Sequence, residues 1–231
     1  MTQGSIRSHI LRMTLMMLAG MVIQTLYSLI DIYWVGKLSG AAVAAVSLVS
    51  SLMFVVIGIS QMLTVGTVAL VSQAKGRQDD GEVQRVFNQS QGLSLLTGIL
   101  FLLLAFLGRY LYLQALSSDA ETTGLAVQFF NLFMPAMGLQ FTMVGLGAAL
   151  RGTGNMKPGL IAQTASVVLN MILAPFLIFG WAGLPALGVA GAGLATFIAT
   201  AAALAGMVWY LRRAGTYLRN DFAQWKPHGG V

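Results

Sequence analysis

The 231-residue sequence contains no cysteine, so disulfides and thiolate metal sites are excluded. Histidine occurs only as His9 and His228, near opposite ends of the chain. No imidazole pair is therefore available for a zinc site or for acid–base chemistry. Charge is scarce as well. Charged residues make up 9% of the sequence, against about 25% in an ordinary soluble domain. Hydrophobic residues make up 57%, and the mean hydropathy is +0.78. Such a chain cannot cover its own surface with groups that water solvates, so it reads as an integral membrane protein.

Six apolar stretches reach the roughly 20 residues that a helix needs to cross a bilayer. They run over 10–36, 42–72, 86–115, 122–149, 158–181 and 187–211. The breaks between them are rich in Gly, Pro and charge: Lys37–Gly40, Gln73–Arg85, Leu116–Glu121, Arg151–Pro158 and Gly183–Gly188. The expectation is an all-α integral membrane protein, with a bundle of six transmembrane helices over 1–213. Residues 214–231 read as a cytoplasmic tail or linker. The first run is too long for a cleavable signal peptide, and no small-residue cleavage site follows a short core.

Eleven of the thirteen Lys and Arg residues fall on one side of this layout, leaving only Lys37 and Arg109 on the other. The positive-inside rule then places both termini in the cytoplasm. It also gives the net charge of +6 a topological meaning, with no nucleic-acid partner implied. Tyr33, Trp34, Tyr110, Tyr112 and Trp181 lie at expected outer ends, and Trp209 and Tyr210 at an inner end, as interfacial belts do. Gly145, Gly147, Gly188, Gly191 and Gly193 sit at intervals that let membrane helices approach closely. Pro135 and Pro175 each remove one helical hydrogen bond from the interior of a span.

Asp31 is the one carboxylate inside an apolar stretch, and no cation shares that stretch with it at depth. Ionisable groups at membrane depth face cavities or carry function, although Asp31 is near enough to its segment's end to reach headgroup water. Gln24 and Tyr27 precede it by seven and four residues and share its helix face. Gln163 and Asn170 share a face of the fifth span, and Thr196 and Thr200 share a face of the sixth. At about 1.5 Å per residue from the outer ends, Asp31 is about 7 Å deep, Thr196 about 13 Å and Asn170 about 16 Å. Oxygen atoms from the three would suit a small cation or a proton. Periodicity alone favours plain interhelical hydrogen bonding by Asn and Thr. The GTG at Gly152–Gly154 follows no strand and precedes no phosphate-binding lysine motif, so it is not a nucleotide loop. No reactive constellation supports an enzyme.

Three stretches carry a resemblance. One is Q-x-x-Y-x-x-x-D-x-x-x-V-G from Gln24 to Gly36, and another is LRGTGNMKP from Leu150 to Pro158. The third runs from Asn170 through Pro175 and Gly180 to GVAGAGLAT at Gly188–Thr196. In order and spacing, over nearly the whole chain, the sequence resembles the bacterial members of the multidrug and toxic-compound extrusion (MATE) family. The resemblance implies an all-helical antiporter that exports organic, often cationic, compounds by alternating access, driven by protons or sodium. No cofactor is expected beyond the coupling ion. By the same resemblance, Asp31 with Asn170, Thr196 and the Ala192 carbonyl is the ion-coupling site. Gln24 and Tyr27 line the substrate cavity, to which Gln163 is added from its place on the Asn170 face, and any sodium would sit at Asp31.

Two positions depart from the family pattern. Ala174 stands where some members carry a second carboxylate, which favours a proton or a weaker ion site. Met16 stands where some have the proline at which the first helix bends. Members also have two homologous lobes in one chain of about twice this length, so the sequence reads as the N-terminal lobe. A second lobe, or a homodimer partner, would complete it in the bilayer of a bacterial inner membrane. The alternatives are a lipid-linked saccharide flippase of the same superfamily, or a non-transporting membrane fragment or partner. The near absence of Lys and Arg at apolar depth argues against the flippase.

Overall fold

The computed structural model describes residues 28–116, 119–183 and 185–213, with Thr14, Leu15, Leu18, Val22, Thr25 and Leu26 of the first helix. That helix, α1, runs without a gap over 28–36, and a turn at Lys37 and Leu38 closes it through hydrogen bonds to the Trp34 and Val35 carbonyls. The Ser39 side chain accepts the Ala42 amide at 3.0 Å and so caps α2, Gly40–Ser50. Next come α3 (Leu52–Gly76), α4 (Asp80–Leu116), α5 (Ala120–Gly152), α6 (Lys157–Phe179) and α7 (Val189–Arg213). A 3₁₀ turn at Trp181–Gly183 links the last two.

The helices α2 and α3 are two pieces of one span. With α4, α5, α6 and α7 they give five crossings long and apolar enough for a membrane among the described residues. The first helix, whose continuous described part is 28–36, lies within the apolar run 10–36 that the sequence marks as a further span. The second span is not continuous as expected: it is interrupted at Ser51. There the Leu48 carbonyl accepts the Ser51 hydroxyl at 2.5 Å and the Tyr112 hydroxyl of α4 at 2.9 Å, and the two hydroxyls also touch. A carbonyl drawn out of the helical ladder is thus satisfied from outside, as an apolar environment requires. The expected break at Gln73–Arg85 shrinks to three residues, because Asp79 accepts the Glu82 amide at 2.8 Å and starts α4 early. At 37 residues α4 is about 55 Å long and outruns a hydrocarbon layer of about 30 Å.

The bundle is built around α5, which packs against α2, α3, α4, α6 and α7. Its most apolar stretch is 67% buried, against 39% or less for the other crossings, so its neighbours enclose it. The sequence explains this: past Asn131, α5 is apolar or small on nearly every side as far as Leu150, with Gln140 and Thr142 the polar exceptions and no polar face to turn outward. Phe129, Phe130, Met134 and Phe141 fill the space on the side of the α6–α7 turn, and Leu146, Ala149 and Leu150 fill it at the other end.

Helices in lipid gain little from burying apolar surface and associate by close contact. Two places show how close. A methyl group on Gly98 of α4 would stand 2.7 Å from the Gly138 carbonyl of α5. One on Gly191 of α7 would stand 2.4 Å from the Leu177 carbonyl of α6. The α6–α7 turn is fastened beside that second contact. Gly180 ends α6 with φ 72°, and the Leu187 and Gly188 amides fold back onto the Leu177 and Ile178 carbonyls at 3.0 and 3.1 Å. Pro175 lies inside α6 and is buried; Pro135 lies inside α5.

Gly191→Ala should therefore destabilise the fold by about 1–3 kcal/mol, because the obstacle is backbone that cannot turn aside. Gly58→Ala, where nothing lies within 4 Å, should be neutral or mildly stabilising. Thermal unfolding of the purified chain in detergent checks the pair. Equal midpoints for both variants would mean that α6 and α7 part easily.

Candidate functional site

Helix α6 turns Gln163, Ser166 and Asn170 to its inner side, at the three- and four-residue spacing that keeps them on one face. Helix α7 presents Thr196 and Thr200 by the same rule. The close α6–α7 hairpin brings the two faces together. Asn170 is 3% exposed, and its Nδ2 donates to Thr196 Oγ1 at 2.9 Å. The Thr196 hydroxyl donates in turn to the Ala192 carbonyl at 3.1 Å. Since that proton goes to Ala192, the Thr196 oxygen is left to accept, which fixes the Asn170 amide with its nitrogen toward α7. Asn170 Oδ1 is then buried without a hydrogen-bond partner.

These groups open onto a cavity of about 110 Å³ between α3, α5, α6 and α7. Met53, Met137 and Met143 give it soft apolar walls, and Gln140 of α5 adds an amide opposite Gln163 and Asn170. No charged residue lines it among the described residues. Three of the four expected ion-site residues are thus joined directly: Asn170, Thr196 and Ala192. Gln163 reaches the same cavity.

Asp31 is not joined to them. It lies on α1, half-buried, and its Oδ1 is a second buried oxygen with no partner. The aromatic residues place α1 beside α6, since the Trp34 ring meets Phe179 at 5.8 Å and Trp181 at 5.9 Å. Asp31 is three residues from Trp34, whereas Asn170 is nine from Phe179. At about 1.5 Å per residue, the carboxylate is about 9 Å nearer the α6–α7 turn than the amide is. The two unsatisfied oxygens are thus offset along neighbouring helices. Gln24, Tyr27 and Met16 lie outside the described residues, as does 214–231. Ala174, where a second carboxylate was considered, is buried in apolar packing. Among the described residues no group of three or more His, Cys, Asp or Glu could hold a metal ion.

Two polar sets escaped the sequence reading. Gln140 shares its span with Gln128 and Asn131 but not a helix face with them, so only its depth marked it. On α4, Gln91 and Ser94 are buried and face Gly145 of α5, and neither Gln91 amide atom nor Ser94 Oγ has a partner. Their three-residue spacing was the available signal.

The Asn170–Thr196 contact has a measurable energy. Thr196→Val should cost about 1 kcal/mol and leave the amide without its acceptor. In a double-mutant cycle with Asn170→Leu, the coupling should be about 0.6–1.7 kcal/mol, the range of hydrogen bonds between membrane helices. Strict additivity in detergent unfolding would show that the two side chains do not bond.

Comparison with known proteins places these elements. The MatE family profile matches residues 17–176, more than half of the chain. The probable multidrug resistance protein YoeA of Bacillus subtilis is 28% identical over 201 residues, covering 87% of this chain and 43% of that protein. The multidrug export protein MepA of Staphylococcus saprophyticus is 25% identical over 214 residues, covering 92% and 47%. Among solved structures, the outward-facing form of a multidrug resistance MATE family transporter of the MOP superfamily superposes with a TM-score of 0.86 at 24% identity. That match covers 98% of this chain and 49% of the transporter, so the fold is that of one lobe. The chain spans about half the length of the relatives it matches. It is a multi-pass membrane protein, and it belongs to the MatE family of multidrug and toxic-compound extrusion transporters.

Proposed function

We propose that this chain is one lobe of a cation-coupled exporter of organic, often cationic, compounds in a bacterial inner membrane. The observation that carries the proposal is the pair of buried, unpartnered oxygens, Asp31 Oδ1 and Asn170 Oδ1, in a lobe of this family. A buried acceptor without a donor costs free energy that a proton or a cation would recover. Asp31 supplies the only charge in the set, and Asn170, Thr196 and the Ala192 carbonyl supply neutral oxygen. Without a second carboxylate at Ala174, the site is one charge short of a strong sodium site, and protonation of Asp31 is the favoured coupling event.

Coupling then has a physical route. The offset of about 9 Å between Asp31 and Asn170 is too great for a direct bond in this state. A sliding or bending of α1 along α6 would bring them within reach. An ion or proton that binds better in the closed-up arrangement shifts the lobe toward it, and a compound that binds better in the open one shifts it back. Gln163, with Gln24 and Tyr27, would face the transported compound. The chain spans half of its relatives, so a second homologous lobe or a second copy would supply the opposite wall. A lipid-linked saccharide flippase would need cations where this cavity has methionines and amides.

The test is efflux of a fluorescent organic cation from vesicles containing this chain, with proton and sodium gradients imposed in turn. Gradient-driven efflux is expected to fall at least tenfold in Asp31→Asn, which keeps the shape and removes the charge. Should the chain alone be inactive, the same pair is measured after co-reconstitution with a second lobe. Efflux equal in wild type and Asp31→Asn would make the carboxylate a bystander.

A further inference from the structure

At the end of the bundle that carries the α3–α4 and α5–α6 loops and the last turn of α7, the cations are treated in two ways. Lys75 pairs with Asp80 at 2.8 Å and Arg77 with Glu82 at 3.5 Å, so the α3–α4 corner neutralises itself. The opposite corner has no such pairs among the described residues. From Thr122 to Asn220 the sequence has no Asp or Glu, yet Arg151, Lys157, Arg212 and Arg213 fall within that stretch. None of the four makes an ion pair with a carboxylate among the described residues.

A groove of about 550 Å³ opens at this uncompensated corner, between α6 and α7. Its walls are apolar, from Ile161 and Leu169 on one helix and Ala202 and Gly206 on the other. Lys157, Trp209 and Tyr210 line it as well. The Arg213 guanidinium lies 5.0 Å from the centre of the Trp209 ring, which puts a second cation at the mouth. Arg151 lies against Gly147, beside the Met207 methyl that also lines the groove. The Tyr210 hydroxyl accepts from Asn155 Nδ2 at 3.4 Å, so its own proton remains free to donate to an anion.

The shape and the charge select the occupant together. A free inorganic anion would satisfy the rim and leave the apolar walls to water. An apolar helix would cover the walls and bury the rim cations without a counter-charge. An anionic phospholipid meets both demands, as basic pockets between membrane helices do. We propose that this groove binds one anionic phospholipid, with an acyl chain between α6 and α7 and its phosphate held by Lys157, Arg213 and the Tyr210 hydroxyl. The site is separate from the cavity at Asn170 and does not depend on transport.

Native mass spectrometry of the purified full chain, released from micelles holding equal phosphatidylglycerol and phosphatidylcholine, measures it. One phosphatidylglycerol per chain should be retained in preference to phosphatidylcholine. Lys157→Gln with Arg213→Gln should weaken that retention about thirtyfold, since each basic residue near an anionic headgroup contributes roughly one kcal/mol. Ala202→Trp, which fills the groove and leaves every charge, should also abolish retention. Gly206→Leu replaces it if the tryptophan variant does not fold. Arg77→Gln, at the self-neutralised corner, should change nothing. Unchanged retention in either groove or charge variant overturns the proposal, and so does equal retention of phosphatidylcholine. Displacement of the lipid by inorganic phosphate would assign the rim to a soluble anion. Cross-linking of Ile161→Cys to a second copy, blocked by neither lipid, would assign the groove to protein.

Discussion

A peptide group inside hydrocarbon must find its hydrogen bond within the protein, and the geometry of this lobe follows from how each break in its helices meets that demand. At Ser51 the freed Leu48 carbonyl is met by Tyr112 from another helix. At the end of α6, the Leu177 and Ile178 carbonyls are met by amides of the returning chain. This second repair matters most for function. It fixes the α6–α7 hairpin at backbone contact through Gly191, and that closeness lets a short asparagine reach a threonine on the neighbouring helix. The polar site is a consequence of how the backbone closes.

A second consequence is layering. One apolar cluster fills the side of the α6–α7 turn and another fills the basic end, and they share no residue. Several polar groups sit along the helices at intermediate positions: Gln91 and Ser94 on α4, Asn170 on α6, Thr196 and Thr200 on α7. Uniform apolar packing would lock such a bundle, since well-packed cores do not deform continuously. Hydrogen bonds made one at a time across glycine contacts allow discrete alternatives. Buried acceptors that lack donors are the groups that gain most from a different arrangement.

Much of this was legible in the sequence, for reasons that differ from residue to residue. Apolar runs set the spans because the bilayer imposes a length, and the basic residues marked one end because the loops concentrate them. The depth count placed Asn170 and Thr196 within about 3 Å of each other, and the hairpin brought them into contact. The same count placed Asp31 nearer the end of its helix, and its Oδ1 has no hydrogen-bond partner. The break at Ser51 was not legible. Its partner Tyr112 is 61 residues away, and the local sequence is compatible with an unbroken helix. Gln140 was also missed, because its spacing of nine residues from Asn131 and twelve from Gln128 gives no helical period to read. Local pattern sets an element and its exposed side, whereas tertiary contact decides which polar groups share a cavity.

The size of the cavity sets how much of an exporter's work one lobe can do. Sites for drug-sized molecules occupy about 300–1,000 Å³. The cavity at Asn170 holds about 110 Å³ and has room for an ion or a few waters, but not for such a molecule. A compound of that size must therefore contact a surface that this cavity does not enclose in the present state. The chain matches only about half of the length of its relatives, and the other half is one source of such a surface. The first helix carries the only carboxylate inside an apolar stretch, and beside its C-terminal end the aromatic contacts of Trp34 hold it to α6. Charge on Asp31 favours whichever arrangement gives it water or a cation, and neutral Asp31 tolerates the one that buries it. The proposed coupling would tie the energy of solvating that one group to the room left beside the first helix.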